Sequence, residues 1–425
     1  MEVSRTERIA MRQADVLTRL LAEAQSWVRD GLPLDSGLSR FYHHHPEFGS
    51  RDRRLFSSTV FSYFRWKGWI DRVARDGETA CIFAHLLETS DLHPAVLKLA
   101  STLGIPASDL RPMGLLPIRE KALSLGDITK ITLTLPQLVP DWVLPLLGPD
   151  PESKIEAFQK PPPTWLRTRP EERNAVMVEL QNSGAEPHKH PSIPSALSVS
   201  RGINLRALPR PVRDQIDIQD LASQVTGLVC APEAGETWWD ACCGSGGKTL
   251  HLAELGGGTA SILATDIRAS ILDELARRIG PDRGRSIRTV LWDGTRQPPP
   301  AGPFDGILLD APCSGTGTWH RNPDARWRLT QDRLLTLLEL QSRLLRTCST
   351  QVKPGGTLIY ATCSVLADEN EQLVKRFLAE FPGFGFMPFC NPIDGSPCCG
   401  QLRIDPAIHS CNGMYIARLG RALTE

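Results

Sequence analysis

Apolar positions change their period along this chain. Up to about residue 146 they recur at helical spacing: Val16, Leu17, Leu20 and Leu21 form one stripe. Leu55, Val60, Phe61, Phe64 and Trp69 form the apolar side of a helix expected over 51–73, with Ser50 as its N-cap. Two more helices are expected over 79–89 and 93–104, and Pro and Gly punctuate 105–118 and 136–151. After a proline-rich entry from Phe158 to Trp165, a strand over 165–168, a helix over 171–183 and a strand over 196–199 make a small α/β connector. From about 216, strands and helices alternate. Strands are expected over 237–240, 261–266, 288–293, 305–310 and 356–362, with helices over 249–255, 268–279, 331–350 and 368–380. That order predicts a parallel sheet with helices on both faces, where ligands sit at the carboxyl ends of strands. Three domains follow: 1–150 helical, 151–215 a connector, and 216–425 α/β.

Composition narrows the function. The 425 residues are 41% hydrophobic and 23% charged, so the chain can bury a core and is not disordered by composition. Lys+Arg and Asp+Glu both number 48, which excludes a chain that is basic throughout but leaves room for a local basic groove. Arg201, Arg206, Arg210 and Arg213 cluster with no acid before Asp214. No apolar run is long enough for a membrane span, and the acidic, apolar-poor first residues do not read as a signal peptide. Eleven Cys in such a chain read as reduced thiols of a cytoplasmic protein.

The sharpest motif runs from Asp240 to Thr249: a strand end, a Gly-rich turn and a helix start. It is not a P-loop, because position 242 is Cys where the first Gly belongs. It is not the dinucleotide fingerprint either, because Thr249 stands where the third Gly belongs. Asp266 closes the next strand, where a carboxylate can accept from two ribose hydroxyls, and Asp293 closes the third, where one can accept from an adenine amino group. The plainer reading of either acid alone is a cap on the segment after it, and the three-part pattern weighs against that. Together with the turn they describe an adenosine ligand held by its amino acid portion, S-adenosylmethionine rather than a dinucleotide. The candidate cofactor positions are Cys242, Cys243, Gly244, Ser245, Gly246, Gly247, Lys248, Asp266, Arg268, Asp293 and Asp310.

Two thiols fall at later strand ends. Cys313 sits in Asp310-Ala311-Pro312-Cys313-Ser314-Gly315 and Cys363 in Ala361-Thr362-Cys363-Ser364. A thiolate suits addition to an electron-poor ring carbon. Addition to C6 of cytosine makes an enamine whose C5 can take a methyl group; loss of the C5 proton then expels the thiolate. A carboxylic acid that holds N3 and the exocyclic amine stabilises the adduct, and Asp310 is placed for that. Cys81, Cys230, Cys242, Cys243 and Cys348 read as small apolar side chains.

These motifs resemble those of the RsmB/Sun/NOP family of S-adenosylmethionine-dependent RNA cytosine-5 methyltransferases. The resemblance rests on Asp240–Thr249, Asp310–Gly317 and Ala361–Val365, with 218–224 and 413–418 flanking them, and covers roughly 216–420. It implies a Rossmann-like class I methyltransferase domain. It further implies Cys363 as nucleophile, Cys313 assisting proton removal or product release, and Lys248 orienting Asp310 and the cofactor. DNA cytosine methyltransferases use the Pro-Cys cysteine instead, so the two roles can be exchanged. Gly244-Ser245 departs from the family's usual Ala-Pro. The stretch from Gly49 through Trp66 resembles the NusB-like helical domain of the bacterial ribosomal RNA branch. That implies RNA binding, with Arg51, Arg53, Arg54, Arg65 and Lys67 as candidate phosphate contacts, and small-subunit ribosomal RNA as substrate.

Trp319, Arg321, Arg326, Trp327 and Arg328 follow the Cys313 loop and suit a splayed single-stranded RNA, with Trp327 itself read as core. Cys390, Cys398, Cys399, His409 and Cys411 lack zinc-ligand spacing, so no metal is expected. His43-His44-His45 reads as a solvated loop. The expected partner is RNA, with no membrane, and the chain is expected to be a monomer. Rivals are a methyltransferase acting on transfer RNA or another RNA, a non-catalytic ribosome-assembly factor, and a DNA methyltransferase.

Overall fold

The helical stripe forms as the spacing demands. In the computed structural model, the helix Arg5–Arg29 buries Ala10, Ala14, Leu17, Leu21, Ala24 and Val28 along one face. Residues 4–200, 202–283, 286–294, 297, 299 and 301–423 are described, with backbone alone at 206 and 280–283; Arg201 of the arginine cluster lies outside them. The chain divides into two units. One holds the residues up to Pro161 together with Thr318–Gln331, the other Pro162–Gly317 together with Asp332 onward.

The first unit is helical. Its elements are Arg5–Arg29, Leu34–His44, Ser50–Val73, Gly77–Glu88, Pro94–Thr102, Ile118–Thr129 and Pro151–Phe158, with 3-10 turns at Leu135–Leu138 and Asp141–Leu147. Ser50–Val73 is the central helix: thirteen of its 24 residues are buried, among them Phe56, Phe64, Trp66 and Trp69. Each such side chain withdrawn from water contributes roughly 1.5–3 kcal/mol. The helix starts one residue earlier than expected. Gly49 is the N-cap, Ser50 is already helical, and Asp52 Oδ2 accepts from the Gly49 backbone N–H at 3.3 Å. His43 and His44 end a helix rather than lie in a loop.

Two expectations about RNA-facing side chains are corrected here. Arg65 is buried: it pairs with Glu88 at 2.9 Å and donates to the His320 carbonyl at 2.8 Å. Trp319, His320 and Arg326 are also buried, so much of the stretch after the Cys313 loop is interior to the helical unit. The Arg326 guanidinium donates to the carbonyls of Leu138 (3.0 Å), Phe158 (3.2 Å) and Trp319 (3.2 Å). Leu138 and Phe158 end a 3-10 turn and a helix, whose last carbonyls lack intrahelical donors, and a buried cation satisfies them. Trp327 is half-buried and its indole N–H donates to the Phe64 carbonyl at 2.7 Å. Arg51 and Arg54 remain exposed, whereas Arg53 donates to the Phe48 carbonyl at 2.8 Å and Lys67 pairs with Asp71.

The second unit begins with a small antiparallel sheet of β1 (Thr164–Thr168), β2 (His188–Lys189), β3 (Ala196–Val199) and β4 (Ile216–Ile218), in the order β2-β3-β1-β4. The helix Arg173–Asn182 buries Val176 and Leu180 against it. β2 and β4 were not expected; each is too short to show alternation in the sequence.

The larger sheet contains β5 (Thr237–Asp240), β6 (Ser261–Asp266), β7 (Ile287–Leu291), β8 (Phe304–Asp310) and β9 (Val352–Thr362), in the parallel order β7-β6-β5-β8-β9. Trp238 and Trp239 point to opposite faces, each into a separate core, as the period of two requires. Beyond the five expected parallel strands, one edge of the sheet is antiparallel. β14 (Met414–Arg421) pairs antiparallel with β9, and β10 (Phe384–Phe386) and β13 (Gln401–Ile404) pair antiparallel with β14. The link from β13 to β14 is shorter than the dozen or so residues a parallel crossover needs, so the two form a hairpin. β11 (Phe389–Cys390) and β12 (Pro397–Cys398) make a separate hairpin. The chain winds outward from β5 through β6 to β7, then returns to β8 on the other side of β5. Strand order therefore reverses between β5 and β8, where such sheets bind ligands. No helix among the described residues is long and apolar enough to cross a membrane.

Candidate active site

The turn between β5 and the helix Gly247–Leu255 lies at that reversal. Gly246 has φ +84°, and a Cβ there would overlap the Leu275 side chain, so the residue must be glycine for both conformation and space. The Cys243 backbone N–H donates to the Thr265 carbonyl at 2.8 Å, and the Gly244 N–H to Asp266 Oδ2 at 3.1 Å. The turn is thereby tied to the end of β6, and the first N–H groups of the following helix have no intrahelical acceptor and no side-chain cap from Gly246.

A cavity of about 230 Å³ opens here, lined by Ser223, Asp240, Cys242, Ser245, Lys248 and Asp310, among others. Lys248 Nζ donates to Asp310 Oδ2 at 2.6 Å and to Ser223 Oγ at 3.1 Å. Burial works against the ammonium charge, but the Asp310 carboxylate outweighs it and holds the Lys248 pKa above its usual value. Asp240 is buried. Its Oδ2 accepts from the Thr249 hydroxyl at 2.6 Å, and its Oδ1 has no hydrogen-bond partner. Burial pushes its pKa up to about 7; the Thr249 hydrogen bond opposes that, and the nearby Asp310 charge adds to it.

The two strand-end thiols meet. Cys313 Sγ and Cys363 Sγ lie 3.3 Å apart, both free and both partly exposed. Register explains this: Asp310 at the end of β8 pairs with Ala361 on β9, so the loops that follow leave the sheet side by side. The Gly317 N–H donates to the Cys363 carbonyl at 3.0 Å, and the Gly413 N–H to the Gly317 carbonyl at 2.8 Å. A Cβ at Gly317 would overlap the Gly413 backbone, so only glycine permits this approach. The hydrogen bond to Cys363, then burial, then the charges of Cys363 and Glu369 hold the Cys313 thiol well above its ordinary pKa.

The cofactor candidates divide. Cys242, Cys243, Ser245, Gly247, Lys248 and Asp310 line the cavity. Asp266 does not; its oxygens accept from the Arg268 backbone N–H (2.9 Å), Nε (2.9 Å) and Nη2 (3.0 Å). Burial would raise its pKa, but the Arg268 hydrogen bonds prevail and hold it below the usual carboxylate range. Asp293 is exposed and lies beyond the end of β7 at Leu291. Among the described residues, no group of three or more His, Cys, Asp and Glu is placed to hold a metal ion.

Several residues at the site went unread in the sequence. Ser223 sits inside a helix, Leu221–Cys230; it lies in the 218–224 segment of the resemblance but was not singled out there. Glu369 and Asn370 precede a helix that begins at Glu371, three residues later than expected, and both are buried beneath the thiol loops. The Asn370 side-chain nitrogen donates to the Ser364 carbonyl at 2.9 Å. The available signal was their position just after Thr-Cys-Ser; an acid and an amide there read as an ordinary solvated helix start.

The family model for 16S rRNA methyltransferase RsmB/F matches residues 227–420. The protein named "Probable ribosomal RNA small subunit methyltransferase B" of Synechocystis sp. is 34% identical over 71% of this chain and 71% of its own length. Ribosomal RNA small subunit methyltransferase B of Salmonella paratyphi A is 37% identical over 54% of each chain. The crystal structure of PH0851 has a TM-score of 0.72 and 25% sequence identity, covering 99% of both chains. A family model over the thiol-bearing sheet, and a relative aligned across most of both chains, place this chain in the RsmB/F family: it is an S-adenosylmethionine-dependent RNA methyltransferase.

Proposed function

We propose that this chain methylates C5 of a cytosine in small-subunit ribosomal RNA through a covalent adduct between Cys363 and C6. The observation that carries the reading is the 3.3 Å approach of Cys313 and Cys363 at neighbouring strand ends. Asp310 and Lys248 lie at the end of the same strand β8 and across the adjoining cavity. The ribosomal substrate is supported by the names of the relatives.

S-adenosylmethionine, when bound, supplies an electrophilic methyl group. The cavity suits its amino acid portion, because the orphaned Asp240 Oδ1 is a buried acceptor and the helix N-terminus offers donors. Cys242 through Lys248, with Asp310, hold it there; Asp266, Arg268 and Asp293 take its nucleoside end, for which Arg268 must release Asp266. In the reaction the Cys363 thiolate adds to C6, and the electron pair of the C5–C6 double bond becomes available at C5. As a carboxylic acid kept in place by Lys248, Asp310 gives its proton to N3 as the adduct forms and accepts from the exocyclic amine; the proton returns to Asp310 when the adduct breaks down. Once C5 is methylated, Cys313 assists removal of the C5 proton. The C5–H electrons restore the double bond and the S–C6 bond breaks, returning the Cys363 thiolate.

The domain reading accompanies this function. Residues 1–150 form a NusB-like RNA-binding domain, 151–215 a connector and 216–425 the catalytic domain. The protein acts as a cytoplasmic monomer.

The test is transfer of labelled methyl to separated RNA pools, followed by bisulfite mapping. One labelled cytosine in small-subunit ribosomal RNA is expected. Cys363→Ala should abolish transfer, and Cys313→Ala should accumulate a covalent protein–RNA species. Label confined to transfer RNA overturns the substrate, and an adduct that accumulates on loss of Cys363 reverses the two roles.

A further inference from the structure

The loops that carry the two thiols share a buried carboxylate. Glu369 is fully shielded from solvent. Its Oε1 accepts from the Ser314 backbone N–H at 2.8 Å and from Gln341 Nε2 at 2.9 Å, and its Oε2 accepts from the Ser314 hydroxyl. The same Gln341 nitrogen donates to the Pro312 carbonyl at 2.9 Å. Pro312 and Ser314 flank Cys313, so the backbone is gripped on both sides of that thiol. Glu369 in turn is anchored to β9, the strand that leads into Cys363: the Tyr360 hydroxyl donates to the Glu369 carbonyl at 2.7 Å.

A buried carboxylate is costly unless its lone pairs are used. Here they are spent on the one loop whose position relative to Cys363 matters. We propose that Glu369 is a positioning residue that, with Gln341, holds the Cys313 sulfur in register with Cys363. The proposal rests on the two-thiol reading given above. Without the clamp, Cys313 moves off and the adduct outlives its normal turnover.

Two measurements test it on the full chain. The first needs no RNA. Diamide oxidises the Cys313 and Cys363 thiols to a disulfide and is itself reduced to its hydrazine, taking up both protons and both electrons. Closure is followed by mass spectrometry of the Cys313–Cys363 peptide pair. Glu369→Ala should slow it by about tenfold or more, because small misplacements of reacting atoms carry large rate penalties. Glu369→Gln keeps an acceptor for the Ser314 N–H and should restore most of the rate. Gln341→Leu keeps the volume, loses both donor contacts, and should slow closure in the same direction even if Glu369→Ala does not fold. Equal closure rates in wild type, Glu369→Ala and Gln341→Leu overturn the proposal.

The second measurement uses transcribed small-subunit ribosomal RNA and S-adenosylmethionine. Glu369→Ala should accumulate covalent protein–RNA species as Cys313→Ala does, and removal of Cys363 should abolish it in both. An adduct in Cys313→Ala but none in a folded Glu369→Ala overturns the positioning role alone. No adduct in Cys313→Ala overturns the two-thiol reading instead, and the closure rates still decide the placement of Cys313.

Discussion

Lys248 Nζ lies 2.6 Å from Asp310 Oδ2, although the two residues belong to different strand–helix units. Lys248 opens the helix after β5 and Asp310 closes β8, so the pair spans the point where strand order reverses. Asp310 thus enters the site already fixed in position by Lys248.

Lys248→Met removes that cation. Breaking a fully buried pair costs about 3–5 kcal/mol; Asp310 keeps about a quarter of its surface, so roughly 2 kcal/mol is expected. Urea unfolding should show a lower midpoint with an unchanged slope. Methyl transfer should fall by about 100-fold or more, since a preorganised electrostatic partner is lost. A variant with wild-type turnover would remove Lys248 from the site.

Asp240 makes stability pH-dependent. Its folded pKa, about 7, lies above the ordinary aspartate value of 3.8, so the folded state binds the extra proton. The contribution is fully present below about pH 4 and is lost as pH rises through about 7. Three units at about 1.36 kcal/mol each give roughly 4 kcal/mol as the upper bound. Asp240→Asn cannot ionise, so its stability relative to wild type should climb between pH 4 and 8. A flat difference across that range contradicts the burial argument.

Gly246→Ala tests the turn. The φ of +84° and the overlap with Leu275 both oppose a side chain. A left-handed non-glycine residue costs roughly 1–2 kcal/mol before any clash. Calorimetric titration with S-adenosylmethionine should show affinity reduced by about tenfold or more, while Gly235→Ala, at φ +84° with open space around it, should lose only the backbone part in thermal unfolding.

In the helical unit, buried and exposed arginines should separate cleanly. Arg326→Met strands the carbonyls of Leu138 and Phe158 and should lower stability by about 3 kcal/mol. Arg51→Ser with Arg54→Ser should leave stability within about 0.5 kcal/mol. If this face binds RNA, that double variant weakens binding and shallows its salt dependence by roughly one to two counterions. An unchanged salt slope moves RNA binding off this face.

Much was determined by sequence alone. Alternation of strand and helix over 237–380 is a local pattern, and the five parallel strands it predicts are all present, β7 ending two residues short of the expected Asp293 and β9 starting four residues before the expected Gly356. The Gly-rich turn, Asp310 and both thiols carry strand-end signatures, and side chains at the ends of parallel strands converge because the sheet brings those ends together. The tertiary structure decided what depends on partners distant in the chain. It made β14 antiparallel, buried Arg65, and put Arg326 against the ends of a turn and a helix rather than on RNA. It brought Glu369 from a presumed helix start to the underside of the Cys313 loop. An arginine or a glutamate looks the same in a sequence whether solvated or buried. Only the carbonyls and N–H groups that folding leaves without partners determine which of them is drawn inside.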